Sequence, residues 1–407
     1  MKHLPSSTNT RQATLGATST ANTAALGAAR AQAVAMARHK VMSGHTSGDG
    51  VTEVAPWLVE SWQRCLMNGQ RPGDAVAFNT VRVGDVQAAS HASHDLITAA
   101  KPIITQLLNA VADTRYFAVL TDAQGVVVDV NGPSIKHDKR AQNIARVGID
   151  LSERAVGTTA IGGALKELQP VWLHQSEHFF ECTQMYSCAG APLIGPDGAC
   201  VGMLDITGID TPEHMALRHL VTHSAQRIEN SLTLQRSHQL LVRLNWPGQQ
   251  TGQDGDGLVC LDTDGFVTGA NVAARNMLGY TQHGAAPHAS DLFATPFEWL
   301  YDLANHSHGH TLETVPTWGG LRLSVASSRA IQSARHLPSH ASSAHTATAA
   351  SLRDIEAAVI RKAIDDARGN VAAAAKQLGI SRATLYRRLG QTRGKTNASD
   401  PLGDEIR

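Results

Sequence analysis

The chain has 407 residues, with 35 Lys/Arg balanced by 35 Asp/Glu, and 42% of its residues are hydrophobic. That length predicts two to four globular domains, and no run approaches the ~20 apolar residues that span a bilayer, so no membrane partner is expected. Five cysteines (Cys65, Cys182, Cys188, Cys200 and Cys260) form no CxxC pair; an odd, unpaired set suits a reducing cytoplasm better than a disulfide framework.

Residues 1–45 are rich in Ala, Ser and Thr and lack the apolar stretch of a secretory signal. They are expected to be disordered to about Thr20 and partly helical after it. A helical entry segment runs from Pro56 through Cys65. Asp95 to Ala112 carries Leu96, Ile97, Ile103, Ile104, Leu107, Leu108 and Val111 at helical spacing. From Tyr116 the period changes: YFAVLTDAQGVVVDV is strand, turn, strand. A loop then leads into a helix across VGTTAIGGALKE, PVWLH gives a strand, and two further strands flank a Pro196-Asp197-Gly198 turn. Helices flanking an antiparallel sheet make an α+β domain.

These residues carry a family resemblance. SWQRCLMNGQRPGD, GTTAIGGAL and PVWLHQSEHFFECTQMYSCAGAPLIGPDGACVGMLDITG are similar to the GAF sensor domain of the acetoin-catabolism-regulator family, over about Val54 to Ile228. Thr159 stands where that family usually has Asn. The resemblance implies a small-molecule pocket over one sheet face. By position, the expected ligand-binding residues are Gly157, Thr158, Thr159, Ala160, His174, His178, Phe179 and Cys188, with Ala191 nearby. His174, His178, Cys182 and Cys188 could also be metal ligands, or Cys182 and Cys188 a redox pair. The two histidines straddle a strand end rather than one helical face, so ordinary satisfied side chains are the reading adopted, with no metal and no cofactor.

Pro212 to Leu244 reads as a connecting helix with Leu217, Val221 and Ile228 on one seam and Leu232 close to it. It pairs with its twin in a dimer, packs on its own sheet, or does both. The first domain is thus expected over 54–244, with a Pro/Gly/Gln linker from Asn245 to about Asp256. GLVCLDTDGFVTGANVAARNMLGY then reads strand, turn, strand, helix. It resembles the start of a PAS-like fold, with Asn271 capping the helix and Leu321–Val325 supplying a late strand; the expected span is 257–326. Residues 327–351 are Ala/Ser/His-rich and read as a flexible tether.

Leu352 to Leu389 reads as helix-turn-helix. Leu352, Ile355, Val359, Ile360, Ala363 and Ile364 make one amphipathic helix. Gly369 ends it, Asn370 caps a second helix, Gly379 makes the sharp turn, and Ser381 caps a third over Arg382–Leu389. Leu385 and Leu389 face inward. The expected DNA-binding residues are Lys376, Ser381, Arg382, Thr384, Tyr386, Arg387 and Arg388. Residues 352–395 hold ten Lys/Arg and four Asp/Glu, net +6, against 25 and 31, net −6, in the rest. That asymmetry suits a nucleic-acid module joined to a non-binding body. GNVAAAAKQLGISRATLYRRL resembles the Fis-type domain that ends many bacterial enhancer-binding regulators. The resemblance implies an all-α domain over 352–392, a homodimer joined through its first helix, an inverted-repeat site in double-stranded DNA, and a tail over 393–407.

Members of that family usually carry an ATPase domain before the DNA-reading segment. Here only the tether stands there, and no GxxxxGK[ST] follows a strand. Gly390 to Thr396 is one residue short and has no strand behind it. The expectation is a cytoplasmic transcription regulator that is neither an enzyme nor a sigma-54 ATPase. It would sense a small molecule or a redox signal and act on RNA polymerase by contact, by occupancy or through a full-length partner. An architectural DNA binder with a vestigial sensor is the alternative.

Overall fold

A computed structural model describes residues 27–44, 54–280, 286–306 and 312–329. Helix α1 covers 27–42. Helix α2 (Pro56–Met67) starts with a proline at its first position, where the missing N–H costs nothing. Helices α3 (Val83–Ala92) and α4 (His94–Ala110) follow, and α4 buries Leu96, Ala99, Ala100, Ile103, Ile104 and Leu107 along one stripe. Strands β1 (Tyr116–Asp122) and β2 (Val127–Asn131) form the expected hairpin. In its turn Asp122 Oδ1 accepts the N–H groups of Gln124 and Val126, each at 2.9 Å, and Gly125 takes φ +87°. Three short helices, α5 (Lys139–Ile144), α6 (Glu153–Val156) and α7 (Ala160–Glu167), lead to β3 (Val171–His174). Strands β4 (Tyr186–Ile194) and β5 (Cys200–Ile209) complete an antiparallel sheet of order β2-β1-β5-β4-β3.

This sheet separates two cores. On one face Phe117, Val119, Met203, Tyr186 and Cys188 meet α1, α2 and α5–α7. On the other Ala118, Leu120, Ala189, Ala191, Leu204 and Ile206 meet α4 and α8 (Ala216–Leu234). The α8 seam expected from the sequence is buried here: Leu217, Val221, Ile228 and Leu232 are each 8% exposed or less against their own sheet. Of the two readings for that seam, the structure takes the second.

The helix is shorter than expected. It ends at Leu234, and Leu240–Asn245 is a strand, β6. β6 pairs with β7 (Gly257–Leu261) and with β10 (Arg322–Arg329), so the expected boundary at Leu244 falls inside the second sheet. The order there is β8-β7-β6-β10-β9, with β8 at Val267–Ala270 and β9 at Glu313–Pro316. The linker expected from Asn245 to about Asp256 is the β6–β7 connection, except that Asn245 itself ends β6. Asp262 Oδ1 accepts the N–H groups of Asp264 (3.0 Å) and Phe266 (2.9 Å) and Gly265 takes φ +87°, repeating the device of the first hairpin. Helices α9 (Val272–Leu278), α10 (Ala289–Leu292) and α11 (Phe297–His306) cover one face of this PAS-like lobe. On the opposite face the Cys260 thiol donates to the Thr233 carbonyl at 3.3 Å, so the C-terminal end of α8 serves both lobes. Among the described residues no helix is long and apolar enough to cross a membrane.

Candidate functional site

Asp205 sits in the middle of β5, opposite Val119 of β1 and Gly190 of β4, and is fully buried. Its Oδ2 accepts from Thr207 Oγ1 at 2.5 Å, and Thr207 Oγ1 lies 3.3 Å from the Cys188 thiol. Its Oδ1 has no partner. Burial pushes its carboxyl up to about 7, countered only by the Thr207 hydroxyl.

His178 follows a single 3-10 turn, Gln175–Glu177, and is 1% exposed. Its Nδ1 lies 3.0 Å from the Gln175 carbonyl, which can only accept, so Nδ1 carries the hydrogen and Nε2 is a bare acceptor. That Nε2 has no partner either. Burial holds the imidazole down at about 4, so it is neutral at physiological pH.

Both residues line one cavity of about 30 Å³, whose other walls include Ile144, Leu151, Val156, Thr159, Ala160, Tyr186 and Cys188. That is room for about one water molecule. An apolar shell around a few convergent polar groups is the usual build of a ligand site. Two orphaned buried polar atoms are costly, on the order of 1–3 kcal/mol each, unless something meets them.

The loop that carries His178 is tied down from the N-terminal side. Arg38 of α1 donates to the carbonyls of Ser176 (3.3 Å), His178 (2.7 Å) and Phe179. Arg30 pairs with Glu177 at 2.6 Å, Glu177 Oε2 accepts the His174 N–H at 2.6 Å, and Trp62 Nε1 donates to the Glu177 carbonyl at 2.9 Å. Helix α1 therefore braces the loop that carries His178 without itself lining the cavity, a role its composition does not announce.

The eight expected pocket residues separate into two groups. Thr159, Ala160, His178 and Cys188 line the cavity, and Thr159 also caps α7 by accepting the Gly162 N–H at 3.2 Å. Thr158 turns toward α2, 2.7 Å from Ser61 Oγ, which donates to Glu153 at 2.6 Å. Gly157 lies at φ +68° with its Cα against Phe180; a Cβ there would stand 2.8 Å from the ring. Phe179 is core, edge-on to Phe180 with centroids 5.0 Å apart. His174 sits on the edge strand, stacked on Trp172 at 5.7 Å and 2.6 Å from Ser187 Oγ.

Cys182 is exposed while Cys188 is buried, its thiol pushed well above the ordinary value by burial and by Asp205. Among the described residues no group of three or more His, Cys, Asp or Glu side chains is placed to hold a metal ion. A larger cleft of about 290 Å³ opens between α1, α2 and β3, but two of the charges that line it, Arg30 and Glu177, already satisfy each other. The expected DNA-binding residues Lys376, Ser381, Arg382, Thr384, Tyr386, Arg387 and Arg388 lie outside the described residues.

Two family models match the chain. "Bacterial regulatory protein, Fis family" covers residues 351–391, and "MimR, N-terminal domain" covers 31–230. An acetoin catabolism regulatory protein of Cupriavidus necator is 30% identical over 271 residues, 64% of this chain and 40% of that protein. The acetoin dehydrogenase operon transcriptional activator AcoR of Bacillus subtilis is 26% identical over 56% of this chain and 38% of its own length. The propane 2-monooxygenase operon transcriptional activator MimR of Mycolicibacterium goodii is 29% identical over 38% of this chain and 26% of its own length. The chain thus spans about two fifths or less of these relatives. The E. coli DhaR N-terminal region, solved with DhaL, aligns with a TM-score of 0.42 at 15% identity, covering 67% of this chain and 99% of that one. The chain thus carries a MimR-type N-terminal domain and a Fis-type helix-turn-helix, the make-up of a transcription regulator similar to the acetoin catabolism regulators and MimR activators.

Proposed function

We propose that the chain is a transcription regulator whose GAF-like lobe binds a small polar molecule at Asp205 and His178, and whose segment Leu352–Leu389 reads DNA. The observation that carries the sensing role is the pair of unpartnered, fully buried polar atoms facing one cavity. A ligand there donates a hydrogen bond to His178 Nε2 and meets Asp205 Oδ1. The buried, protonated state of the Cys188 thiol favours such a ligand over a thiol-oxidation signal. A ligand larger than a few atoms requires the His178 loop to yield, which links occupancy to α1 through Arg38 and Arg30. The effect on DNA is a population shift: ligand binds one arrangement better and biases it.

The DNA-reading role rests on the Fis-family match and the +6 charge of the segment. Arg382 and Thr384 read base edges, while Lys376, Arg387 and Arg388 hold phosphates beside Ser381 and Tyr386. The segment works as a homodimer on an inverted repeat, through its first helix. Strand β10 runs to Arg329, past the expected start of the tether at 327, and residues 330–351 leave no space for an ATPase domain between the second lobe and the DNA segment, so the chain acts on transcription without ATP-driven remodelling and without catalysis of its own.

The test is capture of genomic DNA fragments by the purified full chain, followed by sequencing. One inverted repeat near a few promoters is the expected result; AT-rich fragments with no motif would overturn it in favour of an architectural binder. Adding small hydroxylated or carbonyl compounds should change the capture. Asp205→Asn with His178→Ala should abolish that change while leaving ligand-free capture intact. A response that survives both substitutions would refute the sensing site.

A further inference from the structure

The two described lobes meet along α8, and a groove of about 320 Å³ runs between them. Pro192 and Ile194 of β4 form one wall, Val272 and Ala273 of α9 the other, and Ala225 and Glu229 of α8 the floor. This volume falls in the size class of small-ligand sites, which favour domain interfaces.

Glu229 is the one acidic group among the lining residues, and no cation lines the groove with it. It is 8% exposed. Its Oε1 accepts the Ile194 N–H at 2.8 Å, and among the described residues it takes part in no ion pair. The nearest basic side chains on α8 are engaged elsewhere: Arg227 pairs with Asp254 at 3.5 Å, and the His223 ring lies 3.4 Å from the same carboxylate. The neighbouring amides are also satisfied, since Asn230 donates to the Asp254 carbonyl at 2.8 Å and Asn271 donates to Asn230 at 2.7 Å. Burial accordingly drives this carboxyl up to about 7, opposed only by the Ile194 N–H. A carboxylate held this deep without a cation is stabilised by whatever brings one, because opposite charges interact strongly where water is scarce.

We propose that this interlobe groove is a binding site for a small organic ammonium ion, whose charged head pairs with Glu229 and whose short apolar stem lies along Ile194, Ala225 and Val272. The site is separate from the Asp205 cavity in place and in chemistry, and does not depend on that cavity being a sensor. Because its walls belong to both lobes, a bound ammonium ion joins β4 of the first to α9 of the second and restrains their relative movement.

The experiment is isothermal titration of the full chain with n-butylammonium chloride, and with n-butanol as the uncharged match. The expected result is a saturable Kd of about 10 mM or tighter for the ammonium ion, within reach of a five-heavy-atom ligand, and affinity at least about tenfold weaker for n-butanol. Glu229→Gln keeps an acceptor for the Ile194 N–H and should weaken n-butylammonium at least about tenfold. Ala273→Trp fills the groove from a half-buried position on α9 and should abolish binding with Glu229 intact. Asp205→Asn should leave the titration unchanged, which separates this site from the sensing cavity. Equal affinity for n-butanol, no saturable binding of n-butylammonium, or unaltered binding in both groove variants would overturn the proposal.

Discussion

Asp205→Asn tests whether the buried carboxyl behaves as its surroundings require. The carboxyl ordinarily titrates at 3.8 and is raised to about 7 in the fold, which corresponds to about 4 kcal/mol of preference for the neutral form. The folded state therefore keeps a proton that the unfolded chain releases between about pH 4 and pH 7. Stability from this group is complete below pH 4 and is lost as pH rises through 7. Between pH 5 and pH 8 the loss is about 3 kcal/mol in the wild type and zero in the Asn variant, which does not titrate. His178 acts in the opposite sense: its folded value of about 4 lies below the ordinary 6.5, so its contribution is present above 6.5 and is lost as pH falls toward 4. That contribution and the one from Glu229 are common to both proteins and cancel in the difference. The assay is urea unfolding of both proteins at several pH values, followed by tryptophan fluorescence. The stability difference should move by about 3 kcal/mol in favour of the variant from pH 5 to pH 8. Parallel curves would refute the reasoning and place Asp205 in contact with solvent or a cation.

Three other predictions concern four substitutions. Arg38→Ala removes the donors to three backbone carbonyls and should raise amide exchange at His178 and Phe179 with a loss of about 1–3 kcal/mol; unchanged exchange would show that α1 does not hold the loop. Gly157→Ala places a methyl 2.8 Å from the Phe180 ring at φ +68° and should cost about 2 kcal/mol or more in thermal unfolding. Arg382→Ala should cost about 1–3 kcal/mol of preference for specific over random DNA. Arg388→Ala should weaken both equally and lower the salt slope by about one. Equal loss on both DNAs for both arginines would refute that division of labour.

The elements with strong periodicity were legible in the sequence. The α4 stripe, the Asp-x-x-Gly hairpins and the Asn271 cap all follow from local rules that the fold obeys. β6 was not legible, because its alternation is broken by Leu240-Leu241 and it continues a helical run without a glycine or proline. Its strand state comes from pairing with β7 and β10, 12 or more residues away in sequence, where tertiary pairing overrides local preference. The cavity was half legible. Position within the family pattern reached His178 and Cys188, but Asp205 carries the other orphaned atom. Its signal was present: a single carboxylate in the strand text GMLDITG, where alternation buries either face. Thr158, His174 and Phe179 were reached by the same positional argument, yet each is satisfied by a neighbour that only the folded chain supplies.

Asn271 shows how one side chain joins the lobes, and its replacement makes the fifth prediction. It is 2% exposed and makes four bonds. Its Oδ1 accepts the N–H groups of Ala274 and Leu258, each at 2.9 Å, capping α9 and fixing β7. Its Nδ2 donates to Asn230 Oδ1 at 2.7 Å, on α8, and to the Asp256 carbonyl at 2.8 Å. Asn271→Ala loses a helix cap worth about 1 kcal/mol and strands buried partners at about 1 kcal/mol or more each, so the second lobe should lose about 3 kcal/mol or more. Asn271→Asp is the informative comparison. It keeps both acceptances but cannot donate, and Asn230 can turn its amide to meet it only by giving up the Asp254 carbonyl. It should therefore fall between the wild type and Ala. Amide exchange in the full chain should show β7 and β8 losing protection before β4 and β5 in both variants, with the greater loss in Ala. If Asp and Ala lose equal protection, the two acceptances contribute nothing and the joint rests on packing against α8 instead.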